Sequence, residues 1–155
     1  MLYLAVLLLG ITAGLRAATP LAAIGIGAWL GWINLSGTWA AFLGTLPAVV
    51  ILVILALVEY VGDQLPTAPS RKLPMQFAAR VVSGALVGLI ATLPSGLWIA
   101  GVVGGAVGAV IGTLGGHEAR RQLALALGRD LPAALIEDAV AIVVVLLAVY
   151  WLHGL

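Results

Sequence analysis

The sequence predicts an all-α protein, a polytopic bundle of transmembrane helices with about six hydrophobic segments. Hydrophobic residues make up 63% of the 155 residues and charged residues only 8%, with a mean hydropathy of +1.22. Soluble domains are about 45–50% apolar, and one membrane-spanning helix takes about 20 residues. We therefore expect a single transmembrane domain over residues 1–155 whose main partner is membrane lipid.

Proline, glycine and asparagine divide the apolar sequence into its segments. These cover residues 2–15, 17–34, 40–62, 77–93, 97–115 and 133–152. The first two are short for full spans, and Pro20 removes a backbone donor between them. They are therefore expected to be either two full spans or one broken, re-entrant element.

The basic residues predict the orientation, because short cytoplasmic loops carry an excess of lysine and arginine. All seven fall on or near one side if the segments are consecutive spans: Arg16, Arg71, Lys72, Arg80, Arg120, Arg121 and Arg129. Four tryptophans lie near the opposite ends: Trp32, Trp39, Trp98 and Trp151. We expect basic loops on the cytoplasmic side and both termini outside.

An internal repeat is indicated by two similar strings. Residues 36–41 (SGTWAA) recur as residues 95–100 (SGLWIA), and a glutamate follows each tryptophan after twenty residues, as Glu59 and Glu118. The string RKLP at 71–74 likewise recurs as RDLP at 129–132. These matches predict helical-hairpin units at 11–63 and 71–121, with a partial third unit at 129–153.

The charged residues at the basic side are expected to form one polar cluster within the bundle. Its members are Arg16, Glu59, Asp63, Arg80, Glu118, Glu137 and Asp138. Charges below the headgroups turn inward and pair, so Arg16 and Arg80 should be neutralised by Glu59, Glu118, Glu137 or Asp138. The cluster is interpreted either as a site for a small cation or proton, or as a salt-bridge network that fixes helix packing.

Several chemical functions have little support in the sequence. Cysteine is absent, so thiolate chemistry is excluded. The net charge is only +1, which gives no strong positive field to attract nucleic acid. His117 beside Glu118 is a weak metal signal without a partner histidine at ligand spacing. No nucleophile motif or phosphate-binding loop occurs, so we expect no enzymatic activity, no metal and no cofactor.

Glycine recurs every four residues in the fifth segment, at Gly104, Gly108, Gly112 and Gly116. This spacing indicates close helix approach. It is compatible with packing inside one chain, with a homo-oligomer seam, and with a sliding surface in a transporter.

Three charged motifs, taken in order, resemble those of a bacterial membrane family catalogued as domain of unknown function 4126. They are Gly14-Leu15-Arg16 followed by Pro20, the run 56–63 (ALVEYVGD) ahead of Leu65-Pro66, and residues 135–138 (LIED). The resemblance covers nearly the whole chain and implies a multi-helix protein of the bacterial inner (cytoplasmic) membrane. It implies no activity. Ala17 stands here where family members often have proline.

Taken together, these features favour a small transporter or channel, because transporter folds share broken helices, repeats and intramembrane carboxylates. The alternative is a structural or assembly membrane protein whose charges only hold the helices together.

Overall fold

The structure, a computed structural model, describes residues 1–65 and 73–153. Its helices are α1 (Leu2–Leu15), α2 (Thr19–Trp29), α3 (Leu46–Gln64), α4 (Pro74–Thr92), α5 (Trp98–Leu127) and α6 (Asp130–His153). Short 3-10 turns cover Trp39–Gly44 and Leu93–Ser95. The described part contains no strand, which confirms the all-α class.

Within the described residues, four stretches are long and apolar enough to cross a membrane: Leu46–Gln64, Pro74–Ser95, Trp98–Leu127 and Asp130–His153. The first two apolar segments form shorter helices, of 14 and 11 residues. The expectation of about six hydrophobic segments is therefore not confirmed, and whether the first two are full spans or a re-entrant element stays open. The second helix ends early because the chain turns at Gly31, which has a φ of 74°, a conformation that favours glycine.

Helix α5 packs between α1 and α4 through two glycine faces. A Cβ atom added to Gly108 would lie 2.9 Å from the Cα of Gly10 in α1, and one added to Gly105 would lie 3.2 Å from the Cα of Gly88 in α4. Only glycine lets backbones approach this closely. The predicted glycine stripe thus contacts a neighbouring helix of the same chain, and a homo-oligomer stays a prediction.

Contacts along the stripe differ from one glycine to the next. An added Cβ would meet the backbone of Ile11 at Gly112 and the side chain of Val6 at Gly104. Gly116 is partly exposed. Within this stripe, the backbone of α1 therefore comes close at Gly108 and Gly112.

Helix α3 lies at the edge of the bundle. Only Val49 and Ala56 of its 19 residues are buried, and most of its apolar side chains face outward. In a membrane, such a surface contacts lipid. The predicted basic pair Arg71 and Lys72 lies outside the described residues, and the internal repeat stays a prediction.

Candidate functional site

The helical backbone is interrupted between α1 and α2. Arg16 adopts an extended conformation, with φ −144° and ψ 108°, and Pro20 lies in the first turn of α2. The interruption leaves carbonyls at the end of α1 and N–H groups at the start of α2 without helical partners. Inside a bilayer, such groups must be satisfied by other parts of the protein.

Side chains from α4 and α5 satisfy the freed carbonyls. Arg80 donates through Nη1 to the carbonyl of Gly14, at 3.0 Å, and to that of Leu15. Ser83 donates to the carbonyl of Ala17. The Thr113 hydroxyl, which donates to the carbonyl of Ala109 at 2.8 Å, also lies 3.3 Å from the carbonyl of Gly14. The arginine also places a positive charge at the negative end of the α1 dipole.

A carboxylate of α3 satisfies the N–H groups. Glu59 accepts from the N–H of Ala17 at 2.7 Å with Oε1 and from the N–H of Ala18 at 2.8 Å with Oε2. Ala18 has no polar side chain with which to cap α2. Glu59 therefore supplies the cap from another helix, and its charge lies at the positive end of the α2 dipole.

Arg16 itself turns into the bundle and is fully buried. Its Nε donates to Asp138 Oδ1 at 2.9 Å, its Nη2 contacts the same oxygen, and its Nη1 pairs with Asp63. The guanidinium lies 5.0 Å from the ring centre of Tyr60, a favourable cation–π distance. Gln64 donates to the second oxygen of Asp138 at 3.1 Å.

Asp63 joins the two arginines, because the oxygen that pairs with Arg16 also accepts from Arg80 Nη2 at 3.2 Å. Arg80 Nη2 lies 3.7 Å from Glu59 Oε1. We call these five residues the break cluster: Arg16, Glu59, Asp63, Arg80 and Asp138. It links α1, α3, α4 and α6 at the helix interruption.

The break cluster therefore contains residues from all three charged motifs, which lie far apart in the sequence. A family model described as "Domain of unknown function (DUF4126)" matches residues 3–151. The chain belongs to this family. Comparison with curated proteins and with solved structures gives no match.

The cluster of this DUF4126 protein lies at one depth in the bundle. Each contributing helix carries its cluster residue about 18–22 Å from the opposite end of the bundle, at 1.5 Å per residue. The intervals are Met1 to Arg16, Leu46 to Glu59, Arg80 to Thr92 and Asp138 to His153. The sequence has no Asp, Glu, Lys or Arg in 17–58, 81–117 or 139–155, so we call that opposite end the uncharged end.

Two residues of the predicted polar cluster, Glu118 and Glu137, form their described ion pairs outside the break cluster. Glu118 is half exposed and pairs with Arg121 of the same helix at 2.8 Å. Glu137 is buried, and its Oε2 lies 3.6 Å from Arg120 Nη1. Of the four carboxylates expected to neutralise Arg16 and Arg80, Asp138 pairs with Arg16 and Glu59 lies 3.7 Å from Arg80, and Asp63 pairs with both arginines.

Sequence reasoning misses several polar partners of the DUF4126 site. Ser83, Thr113, Tyr60 and Gln64 are absent from the predicted cluster, although Ser83 follows Arg80 by three residues on the same helix face. The sequence places Arg120 only among the basic loop residues, whereas it pairs with Asp130 at 2.6 Å as well as with Glu137. Thr113 gives no signal in the sequence, since its partner lies 99 residues away.

No group of three or more His, Cys, Asp or Glu side chains could hold a metal ion among residues 1–65 and 73–153. The break cluster instead combines carboxylates with guanidinium groups. This arrangement can bind a cation in exchange for an internal arginine, or can hold helices together as a salt-bridge network.

A cavity of about 580 Å³ lies at the uncharged end of the bundle. Its polar lining comes from Asn34, Ser95 and His153, and its apolar lining includes Leu2 and Leu152. Buried apolar side chains occupy the bundle between this cavity and the break cluster; they include Val6, Leu9, Ile24 and Val145.

Proposed function

We propose that this DUF4126 protein is a small membrane transporter or channel that moves a small cation or proton by way of the break cluster. The observation that carries the proposal is the unequal exposure of the two kinds of charge. The carboxylates of Asp63 and Glu59 are 23% and 16% exposed, whereas the guanidinium-bearing side chains of Arg16 and Arg80 are 0% and 4% exposed. The accessible part of the cluster is therefore anionic and attracts cations.

The position of the cluster supports the same function. The hydrocarbon core of a bilayer is about 30 Å thick, so a cluster about 20 Å from the uncharged end lies below the membrane surface. Ionisable groups at such depths are costly and typically belong to ion or proton pathways. Broken helices that expose backbone polar groups to a site are also common in transporters.

In this proposal the protein lies in the bacterial inner membrane with its charged end on the cytoplasmic side. A cation from that side reaches the carboxylates first. The buried apolar side chains beyond the cluster, such as Leu9 and Val145, close the route to the cavity at the uncharged end. Passage then requires a rearrangement of these helices, and involves no chemical turnover of a substrate.

A structural or assembly role is the second candidate, and one observation favours it. Each carboxylate of the break cluster already has a partner. Glu59 accepts from the backbone N–H groups of residues 17 and 18, Asp63 pairs with both arginines, and Asp138 pairs with Arg16. A fully paired network stabilises a broken helix without any transported ion.

Flux in proteoliposomes separates the two candidates. The purified protein is reconstituted with a trapped pH-sensitive dye and with trapped cation indicators, and a proton or cation gradient is applied. We expect flux through the parent protein and a loss of at least tenfold in Asp63→Asn, with the variant still folded. Glu118→Gln is the matched control, because its described ion pair is on the exposed surface. An absence of flux in folded parent protein, for protons and for every cation supplied, would favour the structural role.

A further inference from the structure

The two terminal nitrogens of Arg80 contact oxygen atoms from two sources. On one side are the adjacent backbone carbonyls of Gly14 and Leu15, which both accept from Nη1. On the other side are carboxylate oxygens of Asp63, at 3.2 Å from Nη2, and Glu59, at 3.7 Å. We call these four oxygens the cation seat. Arg80 is 3% exposed, so the seat is nearly closed around it.

We propose that the cation seat recognises a guanidinium-type organic cation, and that Arg80 is a built-in ligand that fills the seat in the present state. This proposal rests on the proposed function, because it names the substrate class of the same cluster. A cation that enters past Asp63 and Glu59 would compete with Arg80 for the four oxygens.

The arrangement of the oxygens selects a planar cation over a spherical one. The carbonyl pair faces one terminal nitrogen, and the carboxylate pair faces the other. A metal ion needs all its oxygen ligands close to a single centre, at about 2.0–2.6 Å. A guanidinium has two N–H edges held in one plane, which match carbonyl and carboxylate acceptors on separate sides.

The seat is held in shape by contacts that do not involve Arg80. The Thr113 hydroxyl contacts the carbonyl of Gly14 at 3.3 Å, and Glu59 is fixed by the N–H groups of Ala17 and Ala18. Asp63 also pairs with Arg16. Three of the four oxygens therefore have contacts that do not depend on Arg80, and we expect a shortened side chain to leave a space that includes the volume of the guanidinium group.

Chemical rescue of Arg80→Ala tests this inference. The variant should unfold at a lower temperature than the parent protein, and millimolar guanidinium chloride, far below denaturing concentrations, should restore part of the loss. At ten times its dissociation constant the ion should raise Tm by about 3–6 °C. Sodium and potassium chloride at the same ionic strength should give no comparable rise.

Two further variants test whether the response of Tm to guanidinium is specific to the Arg80 site. Arg121→Ala removes an arginine whose side chain is 61% exposed, and its Tm should not respond to guanidinium. Arg80→Gln keeps a polar side chain that ends near the position of the arginine Nε and leaves the place of the terminal nitrogens empty, and it is used for the same titration if Arg80→Ala does not accumulate. No rise in Tm in either Arg80 variant, or an equal rise with sodium or potassium, would overturn the proposal.

The thermal readout separates this inference from the proposed function. Rescue by guanidinium without any flux of protons, metal cations or guanidinium itself in liposomes would support the cation seat and refute transport. Proton or metal-cation flux through the parent protein, with no rescue of Arg80→Ala or Arg80→Gln, would support transport and refute the seat.

Discussion

The guanidinium of Arg16 and the carboxylate of Asp138 are 122 residues apart in the sequence and form a buried hydrogen bond of 2.9 Å. This bond ties the end of α1 to the interior of α6. Arg16 also contacts Asp63 and the ring of Tyr60 in α3. One side chain at the helix interruption therefore connects three helices, and the stability of the bundle should depend on its charge being matched.

Asp138→Ala should be strongly destabilising, because it removes one partner of a buried ion pair. Such losses typically cost about 3–5 kcal/mol, whereas removing both partners is often much milder. We therefore expect the double variant Arg16→Ala/Asp138→Ala to recover part of the stability lost in Asp138→Ala. Unfolding in detergent measures both. Glu118→Ala is the control and should change the free energy of unfolding by less than about 1 kcal/mol, since its pair is exposed. An Asp138→Ala protein as stable as the parent would show that the pair is solvated.

Glu59→Ala should expose the start of α2. The N–H groups of Ala17 and Ala18 lose their acceptor, so their amide hydrogens should exchange with solvent faster. Glu59→Gln keeps one acceptor oxygen but loses the charge that faces the helix dipole, and it should show an intermediate rate. Hydrogen exchange resolved to residues 17 and 18 measures this order. Equal exchange in all three proteins would mean that the cap is dispensable.

Gly108→Leu should destabilise the bundle by about 1–3 kcal/mol or more through overpacking. The first added carbon would lie 2.9 Å from the Cα of Gly10 and the N of Ile11 in the neighbouring helix. Gly115→Leu in the same helix is the matched control, because nothing lies within 4 Å of an added Cβ there. If both variants unfold at the same temperature, the α1–α5 contact is not tight.

Single cysteines at Ser95 and Gln122 should label from opposite sides of the membrane with an impermeant thiol reagent. Ser95 lies in the turn between α4 and α5, whereas Gln122 lies on the exposed surface near the other end of α5. The parent chain has no cysteine, so each signal is unambiguous. Ser70 should label from the same side as Gln122, because it precedes the basic pair Arg71 and Lys72. Labelling of Ser95 and Gln122 from one side would contradict the hairpin.

The break at Arg16 illustrates which features are predictable from sequence and which are not. Pro20 and the short apolar segments by themselves indicate an interrupted element, because proline has no N–H group to donate. The partners of the freed backbone groups are not predictable in this way. They come from Glu59, Arg80, Ser83 and Thr113, which are distant in sequence, and no local spacing encodes such contacts.

The all-α class and the membrane setting are predictable from composition alone, and the cost of exposing charge to lipid predicts that buried charges pair. Which of these charges pair with each other depends on how the helices pack. Glu59 and Glu118 each follow the tryptophan of one of the two similar strings by twenty residues, yet Glu59 caps a buried helix end while Glu118 pairs with Arg121 on a half-exposed surface. The two glutamates differ in their surroundings because α5 continues for 30 residues, about 45 Å. Glu118 is about 30 Å along it from Trp98, beyond the depth of the helix interruption.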